Sequence, residues 1–189
     1  APILQNLSLI EGNWDLLPKA RRSDAAIAAF LELHVEQGGI LESRGDAIGL
    51  VEGVVGQRRF LVRVEGMANH AGTTPMDARQ DALATAAQVI LAVQDLTTNH
   101  PGDPVGTVGK LQLWPNAANV VPGQVEMSVD LRDLSVDVLN DLVEELEVRL
   151  NSISQVSGCP ITLAPQFSVD PTPAHLSVTE AIAASAQTL

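Results

Sequence analysis

Cysteine is almost missing from this 189-residue sequence, in which Cys159 stands alone. One cysteine excludes an internal disulfide and any cysteine-based zinc cluster, and it fits a reducing, cytoplasmic setting. Cys159 precedes Pro160 where a turn runs into a strand, so it is expected to be a small packed residue. Basic charge is also scarce. Eleven Lys and Arg face 23 Asp and Glu, a net charge of −12. No basic stripe can neutralise phosphates, which excludes nucleic acid and argues equally against an anionic membrane surface. No apolar run is long enough to span a bilayer, and no charged-then-apolar-then-small signal pattern opens the sequence. There is no P-loop, no dinucleotide-binding glycine pattern and no nucleophile elbow; Gly53-Val54-Val55-Gly56-Gln57 fits none of them. Internal repeats and low-complexity segments are missing too. What remains is 46% apolar and 18% charged, a globular rather than a disordered composition.

The first 24 residues are mixed in character. Asp24 is placed to cap a short helix through Ala25–Leu31. FLELHVEQ then reads as a strand or a buried segment, broken at Gly38-Gly39. Residues 46–55 are short, apolar and Gly-punctuated, as a crossing between domains would be. From Gln57 the pattern becomes regular. Phe60, Val62 and Val64 alternate with Arg59, Leu61 and Arg63, which predicts a half-buried strand ending at Gly66. Thr74-Pro75-Met76-Asp77 reads as a helix start, with Ala82, Ala86, Val89, Val93 and Leu96 on its apolar face and a stop at Asn99-His100-Pro101-Gly102. A strand over 105–113 follows. Val125, Met127, Val129 and Leu131 alternate with Glu126, Ser128, Asp130 and Arg132 in the cleanest strand signal of the chain. A second helix, capped by Ser135, carries Leu139, Leu142, Val143, Leu146, Leu150 and Ile153. Ile161, Leu163 and Phe167 mark a last strand, and 178–189 reads as helix again. From 57 to 167 the order is β-α-β-β-α-β. The predicted fold class is therefore α+β: a split βαβ, ferredoxin-like domain with a four-stranded antiparallel sheet and two helices on one face.

Of four histidines, His100 and His175 lie in polar turn settings and read as surface residues. His34 sits in a strand-like run beside Glu32, Glu36 and Gln37. A neutral imidazole flanked by carboxylates suits Zn²⁺ or a similar cation. One histidine without a second ligand at regular spacing is weak evidence, and local sequence favours a core histidine bonded to backbone. His70, in Ala68-Asn69-His70-Ala71-Gly72-Thr73-Thr74-Pro75, is either the imidazole of a loop that presents itself and free N–H groups to a polarised carbonyl, or an incidental residue of a helix-entry loop. Asn119 lies in a turn between strands, where Asn usually serves the backbone. Arg132 ends its strand on the polar face, solvated or paired with Asp130 or Asp133; facing a pocket, its planar fork suits a carboxylate.

Taken together, ELHVEQGGILE, VEGMANHAGTTPMDARQDAL, PNAANVVPG and VDLRD resemble one group, in order and at compatible separations. The sequence is similar to the N-carbamoyl-L-amino acid hydrolases, β-ureidopropionases and allantoate amidohydrolases, a branch of the dinuclear-metal M20 peptidase and amidohydrolase superfamily. The resemblance runs from about residue 18 to the end. It implies that His34 is a terminal metal ligand and Gln37 a substrate contact. It implies that His70 polarises the scissile carbonyl, and that Asn119 and Arg132 bind substrate, the arginine gripping a carboxylate. Residues 53–167 then correspond to a lid and dimerisation domain, with 1–52 and 168–189 as parts of an α/β catalytic domain. The resemblance further implies a homodimer through the lid, with His70 and Asn119 acting on the partner's site. It implies two divalent ions per complete site, Zn, Mn, Co or Ni, and a small substrate bearing a carboxylate.

One departure is large. The family's other metal ligands (an upstream His, a bridging Asp, a Glu pair and a downstream His) and its catalytic glutamate have no matching segments here. The chain is expected to be an internal piece of the enzyme, inactive alone because most metal ligands are missing. Two alternatives stand beside the amidohydrolase: a lid and dimerisation module without activity, and an M20 aminoacylase or dipeptidase.

Overall fold

The computed structural model describes Leu7 and residues 11–187. The chain divides into two compact units, residues 50–179 and residues 1–49 with 180–189. Among the described residues no helix is long and apolar enough to cross a membrane.

The larger unit is built as the alternation predicts. Its strands are β1 (Gly56–Glu65), β2 (Val105–Trp114), β3 (Gln124–Asp133) and β4 (Ile161–Val169), and its long helices are α1 (Ala82–Thr98) and α2 (Val136–Ser157). The sheet is antiparallel throughout, in the order β2-β3-β1-β4. In the central pair Phe60 lies opposite Val129, Val62 opposite Met127 and Val64 opposite Val125. These side chains are buried and meet Val89 and Val93 of α1 and Leu139, Leu142 and Leu146 of α2 in one core. Each such aliphatic side chain contributes about 1.5–3 kcal/mol by leaving water. The other face of β1 and β3 carries ion pairs. Arg59 and Asp130 are opposite one another and 2.9 Å apart, as are Arg63 and Glu126 at 2.6 Å. Cys159 is fully buried beneath this core, a packed residue. Pro165 sits in β4, an edge strand, at the point where the β1–β4 register shifts, a place where a missing N–H is tolerated.

Helix ends follow capping chemistry. Ser135 Oγ accepts from Val138 N at 3.4 Å, and α2 closes on Gly158 at φ +68°, a conformation that suits glycine. The start of α1 differs from the expectation at Thr74-Pro75. Met76–Ala78 is a single 3₁₀ turn, and the α-helix begins at Ala82. Asp81 wins the cap: its Oδ1 accepts from Leu83 N at 2.9 Å and Ala84 N at 3.1 Å. Thr74 is engaged elsewhere, its hydroxyl donating to the His70 carbonyl at 2.8 Å. Arg79 stays extended, its guanidinium spent on the carbonyls of Ala71 and Thr74. Gly66 passes so close to this link that a Cβ there would strike the Gln80 carbonyl oxygen.

The smaller unit departs further. Residues 30–37 form no regular element, and all of them are exposed, Leu33 completely. FLELHVEQ is therefore neither a strand nor a buried segment. An extended run holds as a strand only with a ladder neighbour and a face to bury, and among the described residues this one has neither. The helix expected over Ala25–Leu31 is a 3₁₀ turn at Asp24–Ala26. After Gly39 a one-turn helix, Ile40–Arg44, closes on Gly45 at φ +73°. A last helix, α3 (Leu176–Ala186), takes the place expected for 178–189, whose final two residues lie outside the described ones.

Candidate functional site

Two of the candidates, 49 positions apart in sequence, are brought side by side. Asn69–His70 pairs antiparallel with Val120–Val121, His70 opposite Val120, and Ala71 N donates to the Asn119 carbonyl at 2.9 Å. Val121 is buried and anchors this ribbon, while the side chains of His70 and Asn119 are exposed. His70 thus belongs to a short strand and not to a helix-entry loop. The helix N-terminus expected just after it lies instead at Ala82.

Arg132 is not part of this cluster. It lies near the far end of β3, eight residues beyond Gln124, and the ribbon adjoins the near end through Pro122-Gly123. Eight residues of strand span roughly 26 Å. Arg132 is half-exposed and paired in a fork with Asp130, Nε to Oδ1 at 3.0 Å and a second nitrogen to Oδ2 at 3.2 Å. Asp130 also accepts from Gln57 at 2.5 Å and Arg59 at 2.9 Å. Of the two carboxylates near Arg132 in sequence, Asp130 is the partner. Asp133 instead accepts from Ser135 N at 2.7 Å.

Burial alone would push the Asp130 carboxyl upward. Hydrogen bonds from Arg132, Arg59 and Gln57, with the charge of Arg132, outweigh it and hold the group below the ordinary carboxylate range. Arg132 is raised in turn, through its hydrogen bond to Asp130. A carboxyl lowered by folding contributes stability above its unfolded value, about 3.9, and loses it as pH falls through the lower folded value. Thermal melts from pH 5 downward are therefore expected to show an acid-induced loss of Tm that Asp130→Asn reduces. An unchanged pH slope in that variant would contradict the role given to this carboxylate.

His34 and Gln37 belong to the smaller unit and are exposed. His34 Nδ1 lies 2.6 Å from the Val35 carbonyl. A carbonyl only accepts, so in the neutral ring Nδ1 carries the proton and Nε2 the lone pair. A histidine that ligates a metal commonly donates its other ring N–H in this way. Glu36, two residues on, is engaged with backbone. Its two oxygens accept from Ile40 N at 2.8 Å and Leu41 N at 3.0 Å, capping the one-turn helix. Among the described residues no group of three or more His, Cys, Asp or Glu is placed to hold a metal ion.

His100 is half-buried, its Nδ1 accepting from Gly102 N at 3.1 Å, and His175 is exposed beside Ser177 Oγ at 3.0 Å. A shallow depression on the outer face of α1, lined by Leu91, Gln94, Asp95, Thr98 and Asn99, contains none of the candidates. Sequence reasoning overlooked Gln57 and Arg59. The signal was the two-residue period that puts Asp130 and Arg132 on one face of a strand, opposite the polar face of β1.

Residues 53–156 match the family described as peptidase dimerisation domain, M20. The N-carbamoyl-L-amino acid amidohydrolase of Geobacillus stearothermophilus is 38% identical over 148 residues, covering 78% of this chain and 36% of that protein. The allantoate amidohydrolase of Escherichia coli (strain K12) is 39% identical over 157 residues, covering 82% of this chain and 38% of that protein. Among solved structures, an amidase of the hydantoinase/carbamoylase family from Burkholderia multivorans superposes with a TM-score of 0.80 at 34% identity, covering 82% of this chain and 38% of that one. The chain thus spans well under half the length of the relatives it matches.

Proposed function

Since the chain belongs to the M20 peptidase dimerisation family and is similar to its carbamoylase and allantoate amidohydrolase members, we propose that it is the lid and dimerisation part of a metal-dependent amidohydrolase. The reaction is hydrolysis of a ureido or amide C–N bond, with an N-carbamoyl-L-amino acid or allantoate as substrate. Residues 53–167 form the lid, and 1–52 with 168–189 belong to the catalytic domain. The working protein is a cytoplasmic homodimer.

The separation of Arg132 from the His70–Asn119 ribbon carries this reading. A substrate of amino-acid size cannot reach across about 26 Å of β3. His70 and Asn119 therefore serve a site completed by the Arg132 of a second copy. Arg132, held in place by Asp130, pairs its fork with the substrate carboxylate. Gln37 and Asn119 fix the substrate's polar groups in an attack-ready pose. His70 donates a ring N–H to the oxygen of the scissile carbonyl, where negative charge develops in the tetrahedral transition state. His34, whose neutral ring offers Nε2, suits one ligand position for a divalent ion of the zinc, manganese, cobalt or nickel kind. Two such ions would supply Lewis acidity and ready ionisation of water near neutral pH. A single histidine ligand does not hold a dinuclear centre, so the 189-residue chain alone is expected to be inactive.

The test is an assay of the complete, Mn²⁺- or Zn²⁺-loaded protein, and of this chain, on N-carbamoyl-L-amino acids, allantoate, N-acyl amino acids and dipeptides. Turnover of the first two by the complete protein alone is expected. A preference for N-acyl amino acids or dipeptides would move the protein to an aminoacylase or dipeptidase and overturn the substrate assignment.

A further inference from the structure

The loop after His70 is bonded far more completely than an exposed turn requires. The His70 carbonyl accepts from Thr74 N at 3.1 Å, Thr73 N at 3.4 Å and the Thr74 hydroxyl at 2.8 Å. Arg79 closes the other side. Its guanidinium reaches the Ala71 carbonyl at 2.6 Å and the Thr74 carbonyl at 3.0 and 3.1 Å. The chain just after Arg79 is anchored in turn, because Met67 N donates to the Gln80 carbonyl at 2.8 Å and Ala82 N to the Pro122 carbonyl at 3.1 Å. Inside this bracket Gly72 N donates to His70 Nδ1 at 3.1 Å. A backbone N–H only donates, so Nδ1 accepts and the proton of the neutral ring sits on Nε2. A Cβ at Gly72 would lie 3.2 Å from His70 Cε1, so the ring would have to give by a few tenths of an ångström.

We propose that Arg79 and Gly72 are positioning residues for His70: Arg79 locks the 71–74 loop, and the loop's Gly72 N–H selects the imidazole tautomer that presents Nε2–H outward. This rests on the assignment of His70 as the group that donates to the scissile carbonyl. His34 is held in the opposite tautomer by the Val35 carbonyl. The two histidines are thus set for opposite tasks, one to donate a proton in a hydrogen bond and the other to offer a lone pair. A lysine at 79 keeps the charge but not the planar fork that spans two carbonyls.

The test is long-range ¹H–¹⁵N correlation of this chain with ¹⁵N-labelled histidine, above the pH at which imidazoles are protonated. His70 is expected to show a pyridine-like Nδ1 and a pyrrole-like Nε2, and His34 the reverse. In Arg79→Ala, and separately in Gly72→Ala, the two His70 shifts move toward the averaged values of an unconstrained histidine. Added guanidinium restores the pattern in Arg79→Ala but not in Gly72→Ala. In the complete, metal-loaded protein Arg79→Ala lowers kcat roughly 10- to 100-fold with little change in KM, as a misplaced catalytic group does. A proton on His70 Nδ1 in the wild-type chain, or unaltered His70 shifts in both variants, overturns the proposal. If His70→Ala itself leaves turnover within a few-fold, the assignment of His70 fails instead, and the tautomer measurement still stands on its own.

Discussion

His70→Ala in the complete, metal-loaded protein is expected to lower kcat about 10²- to 10³-fold, the usual cost of losing one donor to a developing oxyanion. KM should change far less. The ground-state carbonyl is a weaker acceptor than the transition-state oxygen, so the lost interaction belongs mostly to the latter. The fold should survive. His70 is exposed, its carbonyl remains available to Thr73 and Thr74, and its pairing with Val120 uses backbone alone. Steady-state kinetics on an N-carbamoyl-L-amino acid, with a thermal melt to confirm folding, checks this. Turnover within a few-fold of wild type would remove His70 from the chemistry.

Arg132→Ala should act on binding. Charge-assisted hydrogen bonds to a carboxylate contribute about 1.5–3 kcal/mol. Losing the fork should therefore raise KM roughly 10- to 100-fold for substrates with a free carboxylate, and much less for their amides. Asp130 would keep Gln57 and Arg59 as partners, so the strand should not be disrupted. Arg132→Lys should recover only part of the loss, because an ammonium cannot grip both oxygens in a plane. An equal effect on acid and amide substrates would show that Arg132 does not read the carboxylate.

The βαββαβ unit was legible because each element repeats its own period. Val125 to Leu131 alternates strictly and becomes β3; Ala82 to Leu96 keeps the helical stripe and becomes α1. The beginning of α1 was not legible, since Thr74-Pro75 and Asp81 both satisfy local capping rules. The bonds that Thr74 and Arg79 make back to the His70 and Ala71 carbonyls decided between them. The ELHVEQG stretch failed for another reason: apolar alternation shows that a segment can form a strand, but not that a neighbour is there to pair with it. Within the site, the types of residue could be read but their grouping could not. The pairing of His70 with Val120 is long-range, and so is the separation of Arg132 from both. His34 shows the same limit. Its tautomer depends on one carbonyl contact that no spacing rule supplies.

The composite site is the central claim, and mixing two impaired variants, assayed at substrate well below KM, tests it most directly. His70→Ala and Arg132→Ala of the complete protein are to be unfolded or dissociated together, reassociated and assayed. If His70 of one copy serves the site completed by Arg132 of the other, each mixed dimer regains one intact site. Random pairing then restores about a quarter of wild-type sites. If both residues serve the same copy's site, every site in the mixture carries a lesion. Activity no higher than the sum of the two variants would contradict the account.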